Sequence, residues 1–153
     1  MKFLEVNNLD IEYQTRKETI YASKNVSFNL QRGEIIGIVG ESGSGKSTVA
    51  NAIINLIDKP GIITNGSIKL DGGELHNDKD IIKNIRGKKI GFIFQDPQTS
   101  LNPLFKIRDQ LIETIQTHSD LNFKEAESKS INLLREVGIE NPEKRINDYP
   151  HQF

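Results

Sequence analysis

The stretch from Gly40 to Ser47 has the residue types and spacing of a phosphate-binding loop. It reads Gly-Glu-Ser-Gly-Ser-Gly-Lys-Ser and fits the pattern G-x-x-x-x-G-K-[ST] at every fixed position. Backbone N–H groups must approach phosphate oxygens closely, and Gly43 and Gly45 have no Cβ to obstruct them. Lys46 brings a positive charge to the β- and γ-phosphates, and Ser47 offers a hydroxyl to Mg²⁺. This pattern predicts a site for a phosphorylated ligand with its magnesium ion.

The neighbouring residues are predicted to complete this site. Thr48 is placed to bond a more internal phosphate, and a helix that starts near Gly45 directs the positive end of its dipole toward the anion. The motif alone does not choose between an ATPase, a GTPase and a small-molecule kinase. The predicted binding residues of the loop are Gly40, Ser42, Gly43, Ser44, Gly45, Lys46, Ser47 and Thr48.

The segments on either side of the loop are the ones that such a site requires. Ile35–Val39 is apolar without alternation, which predicts a strand buried on both faces of a parallel sheet. Val49–Ile57 is apolar enough for a core helix, and Pro60-Gly61 is predicted to end it. The predicted order is therefore strand, glycine loop, helix, so a Gly/Ser-rich turn that matches the pattern by chance is disfavoured.

Antiparallel strands are predicted before the loop, and a short one after it. Phe3–Tyr13 is rich in strand formers, and Val26–Leu30 alternates between apolar and polar residues. The polar residues 14–19 between them predict a loop. Asn65-Gly66 predicts a tight turn that opens a short strand over 67–70.

The second half of the chain is predicted to be mostly helical. A polar helix is expected over 78–86, and Ile90–Phe94 is a second candidate for a buried strand, leading into Gln95. Apolar residues at helical spacing follow Ile107. Asn122 and Glu125 have the spacing of a capping box, for a helix that Gly138 is predicted to stop, and a short helix restarts at Asn141-Pro142.

The composition excludes several classes of function. The 153 residues suit one domain or a piece of a larger one, with 20 basic and 21 acidic side chains and hence a net charge of −1. A nucleic-acid-binding protein usually has a basic excess. The absence of cysteine excludes a disulfide framework and a thiolate metal site, and no apolar run is long enough to span a bilayer or to act as a secretory signal. The sequence therefore predicts a cytosolic chain, unless a partner carries it to a membrane.

Three stretches resemble the nucleotide-binding domain of ABC transporters, and in particular the ATPase subunits of oligopeptide, dipeptide and nickel importers. They are residues 37–47, residues 94–103 (Phe-Gln-Asp-Pro-Gln-Thr-Ser-Leu-Asn-Pro) and residues 149–153 (Tyr-Pro-His-Gln-Phe). The resemblance implies an α/β fold: a P-loop NTPase core with N-terminal antiparallel β strands over 1–100 and a helical subdomain over 101–153.

The resemblance also implies ligands and roles. The cofactors are ATP and Mg²⁺. Gln95 is similar to the Q-loop glutamine that contacts Mg²⁺ and the attacking water, and together with Lys46 it is the candidate catalytic residue. Ser47 and Gln95 are the candidate metal ligands. Tyr13 is similar to the aromatic residue that stacks on adenine, and Tyr21 competes for this role.

By the same resemblance, the partners are membrane-spanning permease subunits, a second ATPase subunit in a homo- or heterodimer and, indirectly, an extracytoplasmic solute-binding protein, with no nucleic acid. The expected location is the cytoplasmic face of a prokaryotic plasma membrane, and the expected function is ATP-driven uptake of peptides, nickel or related small solutes. A P-loop kinase or GTPase is disfavoured, because no Asn-Lys-x-Asp motif occurs.

In that family the signature motif, the Walker B aspartate and the switch histidine come after the position of Phe153. The sequence is thus similar to a domain truncated before the signature motif. It is expected to bind nucleotide, to hydrolyse little ATP alone and to leave an apolar sheet edge open. The alternative is a non-catalytic nucleotide-binding fragment, or half of a split ATPase.

Overall fold

A computed structural model describes residues 2–75, 79–96 and 100–153, with the backbone alone at 79 and 80. The chain divides into two compact units, one extending to Ile90 and the other running from Gly91 to Phe153. The functional division at residue 100 stays a prediction.

The first unit is built on a four-stranded antiparallel sheet with the order β2-β1-β3-β4. The two strands predicted before the phosphate loop are confirmed, and the loop between them is shorter than predicted because β2 starts at Thr19. The alternating apolar residues of these strands form one buried face, as expected for a sheet covered on one side. The strands are β1 (Lys2–Gln14), β2 (Thr19–Gln31), β3 (Gly61–Leu70) and β4 (Gly73–Glu74).

The tight turn predicted at Asn65-Gly66 is wrong, because β3 runs through both residues. The pairing of β1 with β3 shifts register between Asn7 and Asp10, opposite this point. The side-chain amide of Asn65 donates to the carbonyl of Asn8, at 3.3 Å. Three residue steps of β1, from Asn7 to Asp10, match two of β3, from Ser67 to Asn65. The extra residue of this β-bulge therefore lies in β1, and the Asn-Gly pair lies opposite the bulge within a long strand and not in a turn between two strands.

Two helices pack with the sheet. Helix α1 (Lys46–Ile53) follows the glycine loop and buries Val49 and Ala52 in the same core as the β1 and β3 side chains. Helix α2 (Lys79–Ile85) confirms the predicted polar helix. Arg86, directly after it, donates to the backbone carbonyls of Ile54 at 2.7 Å and Asn55 at 2.6 Å, which ties α2 to the end of α1.

The two predictions of buried parallel strands are wrong. No described residue pairs with Ile35–Val39 in a ladder, and Ile35 and Val39 are 97% and 92% exposed. In Ile90–Phe94 only Ile90 forms a bridge, to Arg86, and Ile93 is 90% exposed. A run that is apolar on both faces becomes a strand only where neighbouring strands accept its hydrogen bonds. The described strands all pair elsewhere, so both segments lack a strand partner along most of their length. Residues 35–39 are exposed, while Ile90 and Phe92 are half-buried.

The second unit is helical, as predicted. It contains α3 (Ile107–His118), α4 (Phe123–Glu136), α5 (Pro142–Arg145) and a 3₁₀ turn at Pro150–Gln152. Its small core contains Ile107, Leu134 and Ile146. Among the described helices, none has the length and apolar character needed to cross a membrane.

Candidate functional site

The phosphate loop has the backbone geometry that its glycines predict. Gly43 and Gly45 have φ angles of +79° and +87°, a region that costs other residues about 1–2 kcal/mol. A Cβ on Gly45 would lie 2.0 Å from the carbonyl oxygen of Ala22. Glycine at position 45 is therefore required both by the backbone conformation and by the close approach of the loop to β2.

The ammonium group of Lys46 lies within the loop. Its Nζ atom donates to the carbonyl oxygens of Gly40 at 2.9 Å and Glu41 at 2.6 Å, and to the Oγ atom of Ser44 at 3.3 Å. An ammonium group has three protons to donate, so these oxygens account for all of them. Lys46 thus holds a full positive charge inside the ring of backbone that the motif forms.

Helix α1 begins at Lys46, with Gly45 in the N-cap position. The first helical hydrogen bond runs from the N–H of Val49 to the carbonyl of Gly45, at 2.9 Å. The first turn contains no acidic residue, so the positive end of the helix dipole is not neutralised locally. Because Val49 and Ala52 are buried in the core, the start of the helix is fixed relative to the sheet.

A cavity of about 310 Å³ joins the loop to the end of the β1–β2 hairpin. The wall of this cavity includes most of the predicted phosphate-binding residues and both candidate tyrosines. Two of the predicted binding residues, Gly40 and Ser42, do not line it. Ser47 is exposed, and Thr48 is half-buried. The wall consists of Tyr13, Ile20, Tyr21, Ala22, Gly43, Ser44, Gly45, Lys46, Ser47 and Thr48.

A second cavity, of about 600 Å³, lies on the other side of the loop, between β2 and the extended segment 36–40. Gly40, Ser44, Gly45 and Lys46 border it as well. Ser23 also lines it, and its buried Oγ atom has no hydrogen-bond partner within the described residues. The loop is therefore supported on one side by the hairpin and open on the other toward an apolar hollow.

Gln95 belongs to the second unit, where it is exposed. Together with Phe94, Asp96 and Ser100 it lines a cavity of about 510 Å³. Residues 97–99, part of the stretch that carries the finer resemblance, lie outside the described residues. The catalytic and metal-binding roles of Gln95 stay predictions.

The donor groups of the loop fit the ligand that the motif predicts. A positive charge, the start of a helix and a glycine-lined backbone suit a triphosphate. Within the described residues, no three His, Asp or Glu side chains group as a metal site. When Mg²⁺ binds together with a nucleotide, phosphate oxygens and water molecules usually supply most of its ligands. A single protein hydroxyl, such as that of Ser47, is compatible with this coordination.

Sequence reasoning missed that Ile20 and Ala22 of β2 form part of the wall. Neither residue belongs to the phosphate motif. The signal lies in the hairpin register, in which Tyr13 is opposite Ile20, and this register follows from the short loop 15–18.

Comparison with known proteins agrees with the family resemblance that the sequence motifs indicate. The family model described as ABC transporter matches residues 23–153. The oligopeptide transport ATP-binding protein OppD of Bacillus subtilis (strain 168) is 43% identical, over 99% of this chain and 43% of that protein. The dipeptide transport ATP-binding protein DppD of Escherichia coli (strain K12) is 38% identical, over 100% of this chain and 47% of that protein. The chain thus spans less than half the length of these relatives.

Solved structures also match. A dimeric ATP-binding cassette bound to ADP and Pi in a post-hydrolysis state superposes with a TM-score of 0.83 and 32% identity, covering 98% of this chain and 62% of that one. A second match is cbiO1 from Clostridium perfringens, part of the ABC transporter complex cbiONQ. It has a TM-score of 0.73 and 25% identity, covering 100% of this chain and 56% of that one.

Proposed function

Because the chain belongs to the ABC transporter family, we propose that it binds Mg·ATP at Gly40–Thr48 as part of the ATP-binding subunit of a peptide importer. The observation that carries the proposal is the arrangement of the loop: Lys46 at the start of α1, two left-handed glycines, and a cavity that leads to aromatic side chains. The names of the relatives, which are oligopeptide and dipeptide transport proteins, support peptides as the transported solute.

In this proposal, different residues bind the phosphates, the magnesium ion and the base. The backbone of residues 40–45 and the ammonium of Lys46 bind the phosphates, with the charge of Lys46 on the β- and γ-phosphates. The hydroxyl of Ser47 holds the magnesium ion, which neutralises phosphate charge when it is bound. Tyr13 contacts the base, and Gln95 orients water and the ion.

We assign the partners by the same membership. Permease subunits in the plasma membrane, a second ATPase subunit and an indirect link to an extracytoplasmic solute-binding protein are the expected assembly, at the cytoplasmic face of a prokaryotic cell. Nickel or another small solute is the alternative cargo. A non-catalytic nucleotide-binding module, or half of a split ATPase, is the alternative function.

Calorimetric titration of Mg·ATP into the wild-type chain and into Lys46→Ala tests the phosphate site. Hydrogen bonds to a charged group contribute about 1.5–3 kcal/mol, so we expect Lys46→Ala to weaken binding by roughly ten- to hundredfold. Lys129→Ala is the matched control, since Lys129 is an exposed lysine on α4 in the other unit. Equal affinity of Lys46→Ala and wild type would refute this site.

A further inference from the structure

The end of helix α1 depends on a side chain from outside the helix. The N–H groups of Asn55 and Leu56 donate to the carbonyls of Ala52 at 2.9 Å and Asn51 at 2.8 Å, and Asn55 has a φ of +52°. This is the pattern of a Schellman motif, which satisfies two carbonyls of the last turn. The carbonyls of Ile54 and Asn55 come after these two bonds in the chain and need other donors.

Arg86 supplies those donors. Its Nε atom donates to the carbonyl of Ile54 at 2.7 Å, and its Nη2 atom donates to the carbonyl of Asn55 at 2.6 Å. Ile54 is buried, so without Arg86 its carbonyl would lose a partner that water does not readily replace. Helix α1 has no basic residue in its last turn. The guanidinium therefore also places a positive charge at the negative end of the helix dipole.

Arg86 is itself held by the core of the first unit. Its backbone N–H donates to the carbonyl of Ile82 in α2 at 3.0 Å, and the residue forms a β-bridge with Ile90. Ile82 is buried in the same core as Val49 and Ala52 of α1. A planar guanidinium that makes two hydrogen bonds has little freedom to turn. The contact therefore fixes the end of α1 against α2.

The position of this end affects the other end of the helix, where Lys46 lies. The eight residues of α1 rise about 12 Å along the axis. A tilt of roughly 10° about the buried Ala52 moves Lys46 by about 1.5 Å. A shift of that size is larger than the range of lengths over which an N–H···O hydrogen bond is strong. The N–H groups at the start of α1 thus keep their distances to a phosphate only while the end of the helix is held.

Resting on the proposed function, we infer that Arg86 is a positioning residue for the phosphate site. It acts through α1: the guanidinium holds the end of the helix, and the helix holds Lys46 and the first-turn N–H groups in place. The effect concerns the phosphates and not the base. It is therefore expected to be equal for a nucleoside triphosphate and for inorganic tripolyphosphate.

The experiment titrates Mg·ATP and magnesium tripolyphosphate into the wild-type chain and its variants, at a temperature at which circular dichroism shows each variant to be fully folded. A merely structural role of Arg86 would lower the unfolding temperature and leave the affinity of the folded chain unchanged. We expect Arg86→Gln to weaken both ligands by the same factor, roughly two- to thirtyfold. We expect Arg86→Lys to bind both ligands more tightly than Arg86→Gln does, because its ammonium keeps donors and a positive charge at the two carbonyls.

Arg32→Gln is the matched control. Arg32 directly follows β2 and donates to the carboxylate of Asp71, directly after β3, at 2.9 Å. The control variant thus also loses a guanidinium contact between distant parts of the first unit. We expect it to bind both ligands as the wild type does, and a loss equal to that of Arg86→Gln would overturn the inference.

The outcomes separate this inference from the proposed function. If Arg86→Gln binds both ligands with wild-type affinity while Lys46→Ala does not, the inference is overturned and the phosphate site stands. A loss of Mg·ATP binding alone, or an Arg86→Lys variant that binds no more tightly than Arg86→Gln, also overturns it. Should Arg86→Gln not fold, Arg86→Lys must itself bind both ligands more weakly than the wild type does, and wild-type affinity overturns the inference. If the wild-type chain binds neither ligand, the proposed function fails and the inference fails with it.

Discussion

Gly45 meets two separate demands at one position. Its φ of +87° suits glycine, and its missing side chain leaves room for the carbonyl of Ala22 on the neighbouring strand. The motif predicts the first demand, since such a loop must expose its N–H groups. The second demand arises from the packing of the loop against Ala22 of β2, and no sequence pattern within the loop indicates it.

We expect Gly45→Ala to destabilise the first unit by at least about 2 kcal/mol, because a strained φ and a clash with backbone add together. Denaturant unfolding monitored by circular dichroism measures the change. Gly37→Ala is the matched control, since a Cβ there meets nothing within 4 Å and its φ is not in the positive range. Equal loss in both variants would contradict the packing argument.

The conformation of the phosphate loop can be predicted from the sequence, because the spacing of glycine, lysine and serine is a local property. The positive φ angles of Gly43 and Gly45 and the position of Lys46 at the start of α1 both follow from it. The approach of Tyr13 and Tyr21 to the loop cannot be predicted in this way. It depends on the pairing of β1 with β2, which includes a register shift between Ile11 and Glu12, and local propensity does not determine such shifts.

Helix α4 shows an element whose ends are determined by its own sequence. The side chain of Asn122 accepts a hydrogen bond from the backbone N–H of Glu125 at 3.1 Å, and the Glu125 carboxylate accepts from the N–H of Asn122 at 2.9 Å. The capping box predicted from these residues is confirmed, as is the stop at Gly138, whose φ is +80°.

Asn122→Ala should lower the stability of the second unit by about 1 kcal/mol, the usual cost of losing such a cap. Hydrogen exchange of the first-turn amides of α4 reports the change locally. Ser128→Ala, at an exposed position of the same helix, controls for substitution within α4. Unchanged exchange in the first turn of Asn122→Ala would argue against the cap as a source of stability.

The segments Ile35–Val39 and Ile90–Phe94 show where prediction at the element scale fails. Antiparallel hairpins such as β1–β2 contain their own partners, so local alternation is enough to predict them. A doubly apolar strand depends on neighbours that are distant in the chain. Nothing local indicates whether those neighbours are within reach, and among the described residues they are not.

For the whole chain, we expect the exposed segment 35–39 to drive self-association. An unpaired backbone segment with apolar side chains is a template for pairing with another chain. The double variant Ile35→Lys/Val39→Lys should lower the concentration-dependent mass measured by light scattering. Val137→Lys is the control, because Val137 is also exposed, at 74%, but follows a capped helix. Similar association of the wild type and the double variant would rule out this segment as the contact.

We expect residues 1–153 alone to release phosphate from ATP at no more than the rate of Lys46→Ala. Phosphoryl transfer requires a positioned water molecule and charge stabilisation around the γ-phosphate. Residues 95–153 contain no two adjacent acidic residues that could position the water. A continuous phosphate-release assay measures the rate. Turnover well above that of Lys46→Ala would show that Lys46 and Gln95 suffice.

The three oxygens around the ammonium of Lys46 have a consequence for discrimination among anions. Gly40, Glu41 and Ser44 already satisfy this cation, so an incoming anion gains only the difference between its own bonds and those that it displaces. A lone sulfate or chloride ion gains an attraction between opposite charges at Lys46, but it must displace these oxygens and also give up its own hydration shell. We therefore expect its net gain to be small. We expect a triphosphate to accept hydrogen bonds also from the N–H groups along the loop, so that its gain in binding free energy is larger than that of a small anion. We therefore expect these three oxygens to compete with small anions for Lys46, and we expect millimolar sulfate to change the affinity for Mg·ATP little.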